Sequence, residues 1–210
     1  MATSKNGARI TSSTGVTGTL GCLAHTLHDA QPVLLSTWHV LFGNGAREGD
    51  AVWLVHESDG ERTYAPLGRS LYGKLGLVRI DGEEHYIDCA VSSFLGEPDA
   101  ASPIGTDIPR IGDRVTKTGA ATGTTTGIVS DVNYSERAMG QILIKPVDDL
   151  AFAAEGDSGS LVVAESNKVV GLLWGTNTRG EGVACPIAPV LYAMNITLLR
   201  ADPPATARWY

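Results

Sequence analysis

The residues best suited to covalent chemistry lie in Glu155-Gly156-Asp157-Ser158-Gly159-Ser160, just ahead of the apolar run Leu161-Val162-Val163. A serine between glycines can sit on a tight turn with its hydroxyl exposed. The glycines also let neighbouring backbone N–H groups converge where negative charge develops on a carbonyl oxygen under attack. The N–H groups of Gly156 and Ser158 form the natural pair for such an oxyanion hole. A plain Gly-Asp-Ser-Gly turn is the competing reading. A serine hydroxyl is a poor nucleophile without a base beside it. Of the five histidines, His39 stands out, because Ser36-Thr37-Trp38-His39-Val40 follows the apolar strand Val33-Leu34-Leu35. His25 and His28 flank a turn and His56 precedes Glu57, so these read as surface residues. A base needs an anion on its other ring nitrogen. Asp88 interrupts the apolar run Tyr86-Ile87-Asp88-Cys89-Ala90-Val91, where an unpaired polar group costs about 2–7 kcal/mol. It therefore demands a partner, either the base or a structural cation. His85 shares the segment, but Glu83 and Glu84 beside it mark a solvated turn.

His39, Asp88 and Ser158, in that order and in those settings, resemble the chymotrypsin-like (trypsin-like) serine proteases, with the greatest likeness to the compact bacterial members. Two further segments carry the resemblance. Thr118-Gly119-Ala120-Ala121-Thr122-Gly123-Thr124-Thr125-Thr126-Gly127-Ile128-Val129 is similar to the hairpin that opens their second barrel. Val170-Gly171-Leu172-Leu173-Trp174-Gly175 is similar to the strand that pairs with substrate backbone. The likeness runs from about Gly18 to Ile196. It implies an all-β fold of two packed six-stranded antiparallel barrels, with the triad in the cleft between them. The implied activity is endopeptidase chemistry through an acyl-enzyme, with no cofactor and no metal. By the same resemblance Phe152, Ala153, Leu173, Trp174 and Gly175 border the substrate-binding pocket. No carboxylate falls at its base, unless a loop shift brings in Asp148 or Asp149, so small or medium uncharged side chains are expected there.

The chain also departs from that family. No cysteine closely follows His39, and Thr126 stands where secreted bacterial relatives carry one. No Ile-Val-Gly-Gly segment is present to pair with Asp157 after zymogen cleavage. Asp157 must then find another partner, or the protein awaits an activator. Three alternatives to a general endopeptidase stay open: a protease-like peptide-binding protein, an esterase, and a processing domain with one dedicated partner.

The elements that must position these residues are short. Apolar, largely β-branched runs are separated by Gly, Asp, Asn, Thr and Pro, which predicts about a dozen strands joined by tight turns. One helix is expected, near Pro189–Ile196, with Pro189 in its first turn. The Pro-rich stretch from 97 to 109 reads as a linker between halves spanning 15–96 and 112–199. The first dozen residues and the tail after Arg200 read as loosely held.

Composition bounds the remaining choices. The 210 residues are 43% hydrophobic and 19% charged, with a formal net charge of −7. That balance suits a globular chain with a real core, and the absence of a Lys/Arg cluster argues against nucleic-acid binding. No apolar run approaches the ~18 residues of a membrane helix. Cys22, Cys89 and Cys185 make neither metal-ligand spacing nor a disulfide framework, and an odd count favours a reducing compartment. Cys89 is expected in the core, on the face opposite Asp88. With no signal-peptide core after Met1, a cytoplasmic location is the expectation. The expected partner is a polypeptide substrate, with a protein activator left open and no nucleic acid or membrane.

Overall fold

A computed structural model of the chain describes residues 6–96, 105–135 and 140–198. Of these described residues, 56% are strand and 8% helix. The strands, in chain order, are β1 (Arg9–Ser12), β2 (Thr17–Thr19), β3 (Cys22–Thr26), β4 (Pro32–Ser36), β5 (Ala51–Ser58), β6 (Glu61–Ile80) and β7 (Glu83–Ser93), followed by β8 (Arg114–Gly119), β9 (Gly123–Tyr134), β10 (Gln141–Pro146), β11 (Leu161–Ala164), β12 (Val169–Thr176), β13 (Gly182–Pro186) and β14 (Ile196–Leu198). A one-turn helix, α1 (Trp38–Leu41), follows β4, and α2 (Ile187–Met194) follows β13. Helix α2 carries Pro189 in its first turn, as expected. It ends at Asn195, whose left-handed backbone lets its N–H cap the carbonyls of Leu191 and Tyr192.

Strands β8–β13 close into a six-stranded barrel in the order β10-β13-β12-β11-β8-β9. The first half forms an eight-stranded sheet, β14-β3-β4-β7-β6-β5-β1-β2. One of its strands, β1, comes from an end read as loosely held, and another, β14, from the second half. β1 pairs with β5, burying Ile10, Thr11 and Ser12, and β14 returns from the barrel to pair with β3. β14, which follows the barrel in sequence, therefore belongs to the first sheet and ties the halves together. Most of the expected linker lies outside the described residues. Its tail is anchored where Thr106 bridges Val169.

Three apolar clusters fill the molecule. One, around Leu34, Val52 and Leu67, lies within the first half, and one, around Val129, Ile142 and Phe152, fills the barrel. The third joins Val33, Ile87 and Cys89 of the first half to Leu161, Leu172 and Trp174 of the second. This shared cluster fixes one half against the other, which a site divided between them requires.

Candidate active site

The register of the first sheet brings His39 and Asp88 together. Antiparallel β4 and β7 pair Ser36 with Ala90. Continuing that register by two residues sets Asp88 opposite Trp38, where the chain leaves β4 and winds into α1. The Asp88 carboxylate is 3% exposed as a residue and fully engaged. Its Oδ1 accepts the N–H groups of Trp38 (2.8 Å) and His39 (3.2 Å), capping α1 in place of Thr37, which makes no side-chain cap. Its Oδ2 lies 2.7 Å from His39 Nδ1. A carboxylate can only accept, so Nδ1 carries the proton and Nε2 presents its lone pair.

Ser158 comes from the barrel and is bonded to a residue that lines the cavity beside His39 and Asp88. A cavity of about 450 Å³ is lined by His39, Asp88, Leu75, Trp174, Gly175, Thr176 and Val183. Ser158 Oγ donates to the main-chain oxygen of Trp174 at 3.2 Å. Its hydroxyl is therefore at this wall but is not hydrogen-bonded to His39. Catalytic hydrogen bonds of this kind commonly form only around substrate.

The turn carrying Ser158 is held from three sides. Thr19 N–H donates to Ser158 O and Thr19 Oγ1 to Gly156 O, both at 2.8 Å. Gly159 N–H donates to Leu173 O at 2.8 Å. Gly159 has φ +101, and a Cβ there would meet Thr19 O at 2.1 Å, so only glycine fits against that carbonyl. The N–H groups of Asp157, Gly159 and Ser160 all have acceptors; among the described residues, those of Gly156 and Ser158 have none. Two unpaired donors on one tight turn are the required composition of an oxyanion hole.

Beneath this turn lies an ion pair. Lys117 Nζ is 3.1 Å from Asp157 Oδ2, and both side chains are fully buried. Asp157 also accepts from Ala121 N (2.8 Å), Thr122 N (3.2 Å), Thr122 Oγ1 (2.7 Å) and Ala154 N (3.0 Å). Lys117 donates further to Thr122 Oγ1 and to Gly123 O. Burial raises the Asp157 pKa, but these hydrogen bonds and the Lys117 charge outweigh it and leave it below the ordinary value. Burial likewise lowers the Lys117 pKa, against the opposing pull of Asp157. Asp157 thus has its cation within the chain. Lys117 was legible only as the inward neighbour of Val115 on β8, two residues along the strand.

Of the five residues assigned to the pocket from sequence, Trp174 and Gly175 line the cavity. Phe152, Ala153 and Leu173 are buried in the barrel core. The Phe152 ring fills the space beside Gly127 and Gly182, where a Cβ would approach its ring atoms to 2.8 and 2.5 Å. Leu75, Thr176 and Val183 take up the wall instead. Asp148 and Asp149 lie exposed on the turn after β10, away from that lining. Cys22, Cys89 and Cys185 are buried free thiols, and desolvation pushes Cys22 up to about 12 and raises the other two. Among the described residues no cluster of His, Cys, Asp and Glu could hold a metal ion, and no helix is long and apolar enough to cross a membrane.

No family profile and no curated protein sequence matches the chain. Solved structures do. A Nocardiopsis protease (NAPase) is 18% identical, with 94% of this chain and 99% of that one covered at a TM-score of 0.63. A glutamic acid-specific serine protease is 16% identical over 92% and 99%, at 0.64. The HtrA-type protease AlgW, solved with a tripeptide, is 22% identical over 89% of this chain and 58% of its own, at 0.56. Together with the closed barrel, the shared core and the short terminal helix, these matches show that the chain has the chymotrypsin-like fold in its compact bacterial form.

Proposed function

We propose that the chain is a serine endopeptidase that uses His39, Asp88 and Ser158. The observation that carries this reading is the 2.7 Å contact of Asp88 Oδ2 with His39 Nδ1 at the cavity whose Trp174 wall holds Ser158 Oγ. Ser158 Oγ, released from Trp174 O, attacks the scissile carbonyl carbon while His39 Nε2 takes its proton. The carbonyl π electrons move to oxygen, and the N–H groups of Gly156 and Ser158 receive the resulting charge. Asp88 holds the tautomer and stabilises the imidazolium without itself taking the proton. His39 then protonates the departing amine. Water, deprotonated by His39, cleaves the acyl-enzyme and returns Ser158.

The Lys117–Asp157 pair supports an oxyanion turn that is formed without a liberated N-terminus, so cleavage is not required for activity. The cavity wall of Leu75, Trp174, Thr176 and Val183 supports a preference for uncharged side chains in the substrate. AlgW is solved with a peptide, which fits a polypeptide substrate here. A cytoplasmic, reducing setting remains part of the proposal on the three free cysteines. A second reading, a peptide-binding or partner-activated protein with little free activity, draws on one observation: the Ser158 hydroxyl is bonded to Trp174 O instead of His39.

A fluorophosphonate probe separates the two. The parent protein should label and Ser158→Ala should not. Absence of labelling in the parent at mildly alkaline pH would favour the second reading.

A further inference from the structure

Gln141 is fully buried at the start of β10, yet it carries an amide with two polar ends. Its Oε1 accepts the indole N–H of Trp174 at 2.7 Å and also lies 3.6 Å from Cys185 Sγ. Its Nε2 donates to the main-chain oxygen of Tyr86 at 3.2 Å. Trp174 and Tyr86 belong to different halves of the molecule, and their rings meet at 5.4 Å. Each is also coupled to the triad. Tyr86 lies two residues before Asp88 on β7, on the same face by strand periodicity. Trp174 supplies the carbonyl that receives Ser158 Oγ, and it is among the residues lining the cavity.

The path is therefore continuous: Ser158 to Trp174 O, Trp174 Nε1 to Gln141, Gln141 to Tyr86 O, then along β7 to Asp88 and His39. On the opposite flank, Thr19 clamps the serine turn from the first half through Gly156 O and Ser158 O. On the flank nearest Asp88 the halves also share a hydrogen bond from the Asp88 main chain to Cys185 and apolar contact, which is non-directional and tolerates sliding. A buried amide bonded at both ends fixes distance and angle.

Resting on the endopeptidase reading, we propose that Gln141 is a positioning residue, whose side-chain amide locks the Asp88-bearing strand of the first half to the Trp174-bearing strand of the barrel and so sets the alignment of His39 with Ser158. It touches no reacting atom and acts through Tyr86 and Trp174.

The test compares the parent with Gln141→Met, which keeps the length and removes both hydrogen-bonding ends. Fluorophosphonate inactivation is measured as a function of probe concentration, separating the first-order step from probe affinity. The first-order step should slow by about 10–100-fold, as small misplacements of reacting groups do, with affinity for the small probe little changed. The NMR signal of the proton shared by His39 Nδ1 and Asp88 should shift or broaden. If Gln141→Met is not folded by circular dichroism, Gln141→Asn is used; its shorter amide cannot span Trp174 and Tyr86 at once. A folded variant with parental first-order rate and unshifted proton signal overturns the proposal. If the parent itself does not label, the endopeptidase reading has failed, and the His39–Asp88 proton signal still decides the role of Gln141.

Discussion

Lys117 Nζ stands 3.1 Å from Asp157 Oδ2 with neither side chain reaching solvent, directly below the turn that carries Ser158. The pair lies within one barrel, since Lys117 is on β8 and Asp157 opens the turn into β11. Replacing Lys117 by Met leaves the Asp157 carboxylate buried with hydrogen bonds but no counter-charge. Breaking such a pair costs about 3–5 kcal/mol. Urea denaturation should show that loss. Fluorophosphonate labelling of the surviving folded fraction should also slow, because Ala154, Ala121 and Thr122 are pinned to the same carboxylate. Parental stability in Lys117→Met would mean that the main-chain donors alone satisfy Asp157.

The same carboxylate makes stability depend on acid. Its pKa is held below the ordinary 3.8 in the fold, so the unfolded chain binds this proton first as pH falls. The stabilisation is therefore complete above about pH 4 and is lost as pH drops through the lowered folded value. Urea midpoints recorded down that range should fall more steeply for the parent than for Asp157→Asn. Parallel profiles would contradict the assignment.

Asp88→Asn probes the other carboxylate. The Asn oxygen can keep the N–H groups of Trp38 and His39, so the fold should survive. Its NH₂ would then face His39 Nδ1, forcing the proton to Nε2, where it blocks the base. Loss of the correct tautomer lowers turnover by about 10⁴-fold. Kinetics on a peptide substrate, with circular dichroism as the fold control, would show a variant that is intact and nearly inactive. Near-parental turnover would assign Asp88 to capping α1 alone.

His39 and Asp88 were legible as candidates because each ends or interrupts an apolar run that would otherwise bury it unpaired, and Ser158 because it stands between glycines on a turn ahead of one. Lys117 and Gln141 escaped notice for the opposite reason. Lys117 directly precedes the threonine-rich hairpin segment that begins at Thr118, and only the face it shares with Val115 betrays burial. Gln141 begins a strand beside the undescribed stretch 136–139, and its two partners lie 33 and 55 residues away in sequence. The pocket wall was obscured by β12, which is buried on both faces: Leu172 and Trp174 pack toward the first half, and Val170 and Leu173 into the barrel. A continuous apolar strand does not reveal which side chains turn to which face. The bulge between Leu173 and Gly175 shifts the register further. The all-β class and the terminal helix followed from run length and turn residues. The return of β14 to the first sheet is a long-range pairing with no local signal.

The residues that line the cavity make the proposed substrate preference testable. With Leu75, Trp174, Thr176 and Val183 lining the cavity and Asp88 already committed to His39, the described residues offer no free carboxylate there for a basic side chain. A peptide library should be cut preferentially beside uncharged residues, and Thr176→Arg should reduce cleavage while leaving small-probe labelling intact. Strong cleavage after Lys or Arg would place a carboxylate where the lining has none.

Thr19 gives the sharpest separation between folding and assembly of the oxyanion turn. Its Oγ1 donates to Gly156 O at 2.8 Å and accepts from Ala120 N at 3.0 Å, joining the first half to both the serine turn and the β8–β9 hairpin. Thr19→Val keeps the shape and the β-branch but orphans both groups, at about 1–3 kcal/mol for each buried polar atom left unpaired. The main-chain bond from Thr19 N to Ser158 O survives, so the turn stays docked while the Gly156 peptide loses its restraint. Stability should drop by about 2–6 kcal/mol for the two groups together. The labelling rate should drop further than a global destabilisation of that size explains, since a donor removed from an oxyanion hole costs about 10²–10³ in rate. A labelling rate that merely tracks the folded fraction would show that Gly156 does not need Thr19 to aim its N–H.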